Sequence, residues 1–139
     1  MNGLAVEFEN RTRAALDEPA LRELLRRTLE AEGVADGDVG LVAVSPGEMA
    51  ELNGVHRGKP EPTDVLSFPI DGARDLPDGV PRQLGDIVLC PQVAAAEGTP
   101  IAVLVVHGAL HLLGYDHETD GGEMLARQAE LVDAGRPEA

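Results

Sequence analysis

The sequence predicts an α/β (α+β) protein in which helices pack on a small mixed four-stranded sheet, in the order β-α-β-α-β-β-α-α-α. Three observations predict it. Apolar and polar residues alternate from Leu4 to Glu9, which is the period of a half-buried strand. Leu21, Leu24, Leu25 and Leu29 recur at helical spacing. The stretch Ile101 to Leu113 is apolar on nearly every side, and a helix of that kind belongs in the centre of a domain.

The remaining elements follow in chain order. Asp17-Glu18-Pro19 opens the first helix, with proline near the first helical position, and Gly33 closes it. Val39 to Val44 is a short apolar run suited to a second strand. Ser45 followed by Glu48 is a capping-box arrangement, so a short helix through Met49 to Leu52 is expected, ended by Asn53-Gly54. A polar loop from His56 to Asp64 follows, with Pro60 and Pro62 keeping it out of helix. Val65 to Phe68 and Ile87 to Cys90 read as strands, and the Gly-, Pro- and Asp-rich stretch from Asp71 to Gln83 between them is expected to be mobile. From Pro91 the pattern turns helical, breaks at Gly98-Thr99-Pro100, and resumes through the central apolar helix to Gly114. Asp120 to Ala134, with Met124, Leu125, Leu131 and Val132, completes the set as an amphipathic helix.

Bulk properties narrow the function classes. A chain of 139 residues with 43% hydrophobic content suits one domain over 1–139 and is too short for two. No secretory leader is visible, and the longest apolar run, Ile101 to Val106, is six residues. A soluble, cytoplasmic protein without membrane contact is therefore expected. The single cysteine, Cys90, excludes an internal disulfide framework and a multi-cysteine zinc knuckle, and its place at the end of an apolar run suits a buried strand thiol. The net charge of -14 works against unguided attraction to polyanions, so any nucleic-acid contact must be local. Two basic groups stand out: Arg22, Arg26 and Arg27 on the first helix, and Arg57 with Lys59 on the polar loop. Either group also suits an ordinary solvated face.

The chemistry concentrates in His107-Gly-Ala-Leu-His111-Leu-Leu-Gly-Tyr-Asp-His117. Residues four apart on a helix share a face, so His107 and His111 can offer two nitrogen ligands to one metal. Gly114 permits the chain to reverse with positive φ, which lets His117 swing back to the same point. Three protein ligands with an open fourth position are the catalytic zinc pattern, whereas structural zinc closes with four and prefers cysteine. A metal so held lowers the pKa of its water to about 7 and polarises the bond under attack. The spacing H-x3-H-x5-H departs from the H-E-x-x-H of zinc proteases, whose glutamate base follows the first histidine; here that position is Gly108. A peptidase would need its base elsewhere, at Glu118 or Asp116.

The eleven-residue segment resembles the signature of the YbeY family, bacterial metal-dependent endoribonucleases of rRNA maturation. Two further stretches carry the resemblance: Leu52-Asn53 through Arg57-Gly58-Lys59 to Thr63-Asp64-Val65-Leu66-Ser67-Phe68-Pro69, and Leu84-Gly85-Asp86-Ile87. Together with the element order, it covers about residues 39 to 133. The resemblance implies a catalytic set of Arg57, His107, His111 and His117, with one zinc ion on the three histidines. It implies a single-strand-directed endoribonuclease acting in 16S rRNA 3′-end maturation and ribosome quality control. The small ribosomal subunit and an Era-like GTPase are the implied partners beside single-stranded RNA. Thr63, Asp64 and Ser67 are candidates to orient Arg57 or a histidine from behind, Tyr115 and Asp116 match the signature, and His56 receives no ligand role. One departure concerns Pro91 to Val106, where family members carry a helix longer by two or three turns. A non-catalytic ribosome-assembly factor with a structural metal, and a metalloprotease or other metal hydrolase, are the competing readings.

Overall fold

The computed structural model describes residues 3–134. A strand–helix–strand unit leads the chain: β1 (Leu4–Asn10), α1 (Glu18–Ala31) and β2 (Gly37–Ala43). β1 and β2 are parallel, with Leu4 opposite Gly37 and Asn10 opposite Ala43. Parallel neighbours need a crossover, which α1 supplies. Asp17 begins that helix by accepting a hydrogen bond from the Ala20 amide at 3.2 Å. Leu21, Leu25 and Leu29 of α1 are buried in the core cluster, each leucine contributing about 1.5–3 kcal/mol by leaving water.

α2 (Pro46–Arg57) extends further than its sequence pattern suggests. Asn53 and Gly54 lie inside the helix rather than at its end, and His56 and Arg57 form its last turn instead of belonging to a loop. The reason is tertiary. The Asn53 amide donates to the Glu61 carbonyl at 3.0 Å, and the absent side chain at Gly54 lets Pro60 pack onto the helix, where a Cβ would meet Pro60 Cβ at 3.2 Å. The stop falls at Gly58, in the left-handed region with φ 72°. At the other end Ser45 Oγ accepts from the Glu48 amide at 3.2 Å, but the Glu48 carboxylate turns to Arg11 and leaves the capping box half-formed.

β3 (Val65–Pro69) pairs antiparallel with β4 (Gln83–Leu89), and β4 runs parallel to β2, giving the sheet order β1-β2-β4-β3. The connection between β3 and β4, expected to be mobile, is tied to the sheet. Arg82 Nη1 donates to the carbonyls of Gly72 and Arg74 at 2.7 and 2.9 Å, and Asp71 accepts from the Gln83 amide and from Arg74, both at 2.8 Å. Those two donors hold the Asp71 carboxyl below its ordinary pKa.

Cys90 is buried at the strand's end, and α3 (Pro91–Glu97) leads into α4 (Ile101–Leu112) across a bend of 114° at Gly98-Thr99-Pro100. α4 packs against α1, β3, β4 and α5 (Glu123–Ala134), which explains its apolar character on every side. Val106 and Leu110 of α4 meet Met124, Leu131 and Val132 of α5 in a second apolar cluster. Among the described residues no single helix is long and apolar enough to cross a membrane.

Candidate metal centre

α4 lies against the sheet at Gly108. A Cβ added there would stand 2.6 Å from Ile87 Cγ2, and Ser67 Oγ donates to the Gly108 carbonyl at 2.9 Å. The position has no room for a side chain, so the glutamate that zinc proteases use after their first histidine cannot be accommodated here. Ser67 thus acts on the backbone of α4 and not on Arg57 or an imidazole.

The close seat of α4 places His107 and His111, one turn apart and both half-buried, on an open cavity of about 620 Å³. Gly114 ends the segment with φ 99°. Asp116 then shapes the turn: its carboxylate accepts from the Glu118 amide at 3.0 Å, and its carbonyl accepts from the amides of Thr119 and Asp120. This turn returns His117 to the other two. Ring centroids are 4.7 Å apart for His107 and His111, 5.1 Å for His107 and His117, and 5.3 Å for His111 and His117. One ring nitrogen from each residue lies within 4.8 Å of the others.

Two of the rings are held from outside. His107 Nδ1 lies 2.7 Å from Gln128 Oε1, and His111 Nδ1 lies 2.9 Å from the Tyr115 carbonyl oxygen. The Tyr115 carbonyl and the Gln128 Oε1 both stand as acceptors, an arrangement suited to a proton on each Nδ1 with Nε2 left to face a cation. The third ring differs: His117 Nδ1 is buried with no hydrogen-bond partner among the described residues. Burial first, and then the neighbouring His107, push the His111 pKa below its ordinary value, which favours the neutral form a metal requires. The donor set therefore fits a cation. Two rings offer an Nε2 to the cavity, and the third carries a buried nitrogen that no group among the described residues satisfies.

Arg57, at the end of α2, is exposed and lines the same cavity. Thr63, Asp64 and Ser67 line it from β3 and the residues before it, and Asp116 and Glu118 from the turn. The Asp64 carbonyl accepts from the Cys90 amide at 2.8 Å, while its carboxylate stands beside Glu97 and raises the Glu97 pKa. His56 lines the cavity as well but is outside the cluster of three, its ring lying 4.4 Å from that of Phe68. Tyr115 is anchored rather than free to stack: its hydroxyl donates to Glu32 Oε1 at 2.5 Å. The arginines of α1 are partly occupied, Arg22 with Glu18 at 2.8 Å and Arg26 with Glu23.

Sequence reasoning missed Gln128, Glu32 and Arg127. Gln128 left one signal, since it is a polar residue at helical spacing among Met124, Leu131 and Val132 on the buried stripe of α5. Arg127 donates to Glu32 Oε2 at 2.7 Å and so completes the chain Arg127–Glu32–Tyr115. That pairing joins α5 to the end of α1 and leaves no periodic trace.

Known proteins resemble most of this chain. The family model described as "Endoribonuclease YbeY" matches residues 6–135. A protein of that name from Acidothermus cellulolyticus is 39% identical, with 96% of this chain and 92% of the relative covered. One from Mycobacterium sp. (strain KMS) is 37% identical over 94% of this chain and 82% of its own. One from Streptomyces coelicolor is 35% identical over 97% of this chain and 92% of its own. Among solved structures, a Thermotoga maritima protein determined in solution superposes with a TM-score of 0.60 at 28% identity, covering 94% of this chain and 89% of that one.

Proposed function

The chain belongs to the YbeY endoribonuclease family, and from that premise we propose that it is a single-strand-directed, metal-dependent endoribonuclease forming one hydrolase domain over 1–139. His107, His111 and His117 hold one zinc ion in this reading, and Arg57 engages the RNA. The observation that carries it is the meeting of three imidazole nitrogens within 4.8 Å on an open cavity that Arg57 also lines. When bound, the cation supplies Lewis-acid chemistry, polarising a phosphoryl oxygen and making water more acidic.

The chain's own groups do the rest. Three neutral imidazoles leave a fourth position for a reactant. The Arg57 guanidinium can grip a phosphodiester with two parallel hydrogen bonds and offset the negative charge that grows during cleavage. With a net charge of -14 the molecule repels RNA at long range, so attraction depends on local cations such as Arg57 and Lys59. The seat of Gly108 argues against the peptidase alternative. The biological setting follows from the family resemblance: 16S rRNA 3′-end maturation and ribosome quality control in the cytoplasm, with the small subunit and an Era-like GTPase as partners.

Cleavage of a single-stranded RNA and of the same RNA in duplex, by purified protein of measured zinc content, tests the proposal. Wild-type protein is expected to cut the single strand, and His111→Ala and Arg57→Ala to lose that activity. Equal cleavage by all three would point to a contaminating nuclease and sink the proposal. Zinc-dependent folding without cleavage would favour a structural metal instead.

A further inference from the structure

We propose that Gln128 is a positioning residue of this centre, its side-chain carbonyl holding His107 in the tautomer that turns Nε2 toward the cation and so coupling cation binding to the docking of α5. The inference rests on the metal-centre reading and names a device within it.

The contact is short, at 2.7 Å, and half-buried. Gln128 sits among the apolar residues that dock α5 on α4, where a polar side chain needs a partner to offset the loss of water. Its partner is the first histidine of the trio. A neutral imidazole carries one proton, and the nitrogen opposite the proton is the only lone-pair donor. By accepting from Nδ1, Gln128 leaves Nε2 as the ligand and fixes the plane of the ring.

The neighbouring residue extends the same scaffold. Arg127 pairs with Glu32, Glu32 takes the Tyr115 hydroxyl, and the Tyr115 carbonyl accepts from His111 Nδ1. Adjacent positions on one helix thus orient one ligand directly and a second through two intermediates. His117 has no such outer partner among the described residues. α5 therefore orients two of the three ligands, although it contributes none itself.

Zinc affinity, measured by competition with a chromophoric chelator, and the histidine tautomers of the metal-free protein, read by two-dimensional ¹H–¹⁵N NMR, test the inference. Gln128→Leu, which removes the acceptor at similar volume, is expected to weaken zinc binding roughly 10–100-fold, and Gln128→Glu, which keeps an acceptor, to bind at least as tightly as wild type. His107 is expected to carry its proton on Nδ1 in wild type and in Gln128→Glu, and on Nε2 in Gln128→Leu. Wild-type affinity in Gln128→Leu, or equal weakening in both variants, overturns the inference alone. A wild-type His107 proton on Nε2 overturns it with no substitution needed. Failure of wild-type protein to bind zinc overturns the metal-centre reading and the inference with it.

Discussion

Gly108 lies so near Ile87 that a Cβ added to it would stand 2.6 Å from Ile87 Cγ2. The carbonyl of the same glycine is held by Ser67 at 2.9 Å, so α4 cannot shift outward without losing that bond. Gly108→Ala is therefore expected to destabilise the protein by about 1–3 kcal/mol, the usual cost of overpacking. Urea unfolding measures it, and an unchanged midpoint would show that the helix has room to move. Gly108→Glu is expected to unfold the protein rather than create a peptidase.

Glu32 ties three elements together, accepting from Tyr115 at 2.5 Å and from Arg127 at 2.7 Å. The Arg127 side chain is about one-third exposed, so water screens part of that pairing. Glu32→Ala is expected to cost about 1–2 kcal/mol, most of it from the half-buried tyrosine hydroxyl left without its acceptor. Tyr115→Phe, which removes the hydroxyl cleanly, should cost less. Thermal unfolding of the two variants and their double mutant checks whether the losses are shared, as they must be for groups in contact.

Asp64 raises the Glu97 pKa above its ordinary value. Between the ordinary and the raised pKa of Glu97 the folded state binds more protons than the unfolded state, so stability falls as pH rises through that interval. Glu97→Gln removes the repulsion. Its melting temperature should exceed that of wild type at neutral pH, and the difference should vanish in acid, below the ordinary carboxyl range. A constant difference across the range would contradict the assignment.

Arg57→Lys retains the charge and loses the planar fork that grips a phosphodiester at two points. Because Arg57 is exposed and outside the histidine trio, zinc content and stability should not change. RNA turnover is expected to fall by roughly 10²–10³-fold, the scale for loss of one charge-stabilising donor. Full activity in this variant would reduce the role of Arg57 to that of a point charge.

Element order was legible because periodicity reports burial, and burial decides which stretches become strands and helices. The polar turn of α2 was not legible: Asn53-Gly54 looks like a stop until Pro60 and Glu61 fold back onto it. β4 begins at Gln83, before the apolar run Ile87 to Cys90, because pairing with β2 and β3 defines a strand more than composition does. The three histidines were visible as neighbours in sequence. Their outer partners were less so, since Glu32 and Gln128 stand 79 and 21 residues from the histidines they orient. Local pattern carries no information about contacts of that span.

Removing zinc and returning it decides whether the three histidines hold the ion that cleavage requires. Protein stripped with a chelator should cleave single-stranded RNA no faster than His111→Ala, and activity should return in proportion to added zinc, saturating at one ion per chain. Undiminished cleavage by the stripped protein would show that RNA is cut without a metal on the three histidines.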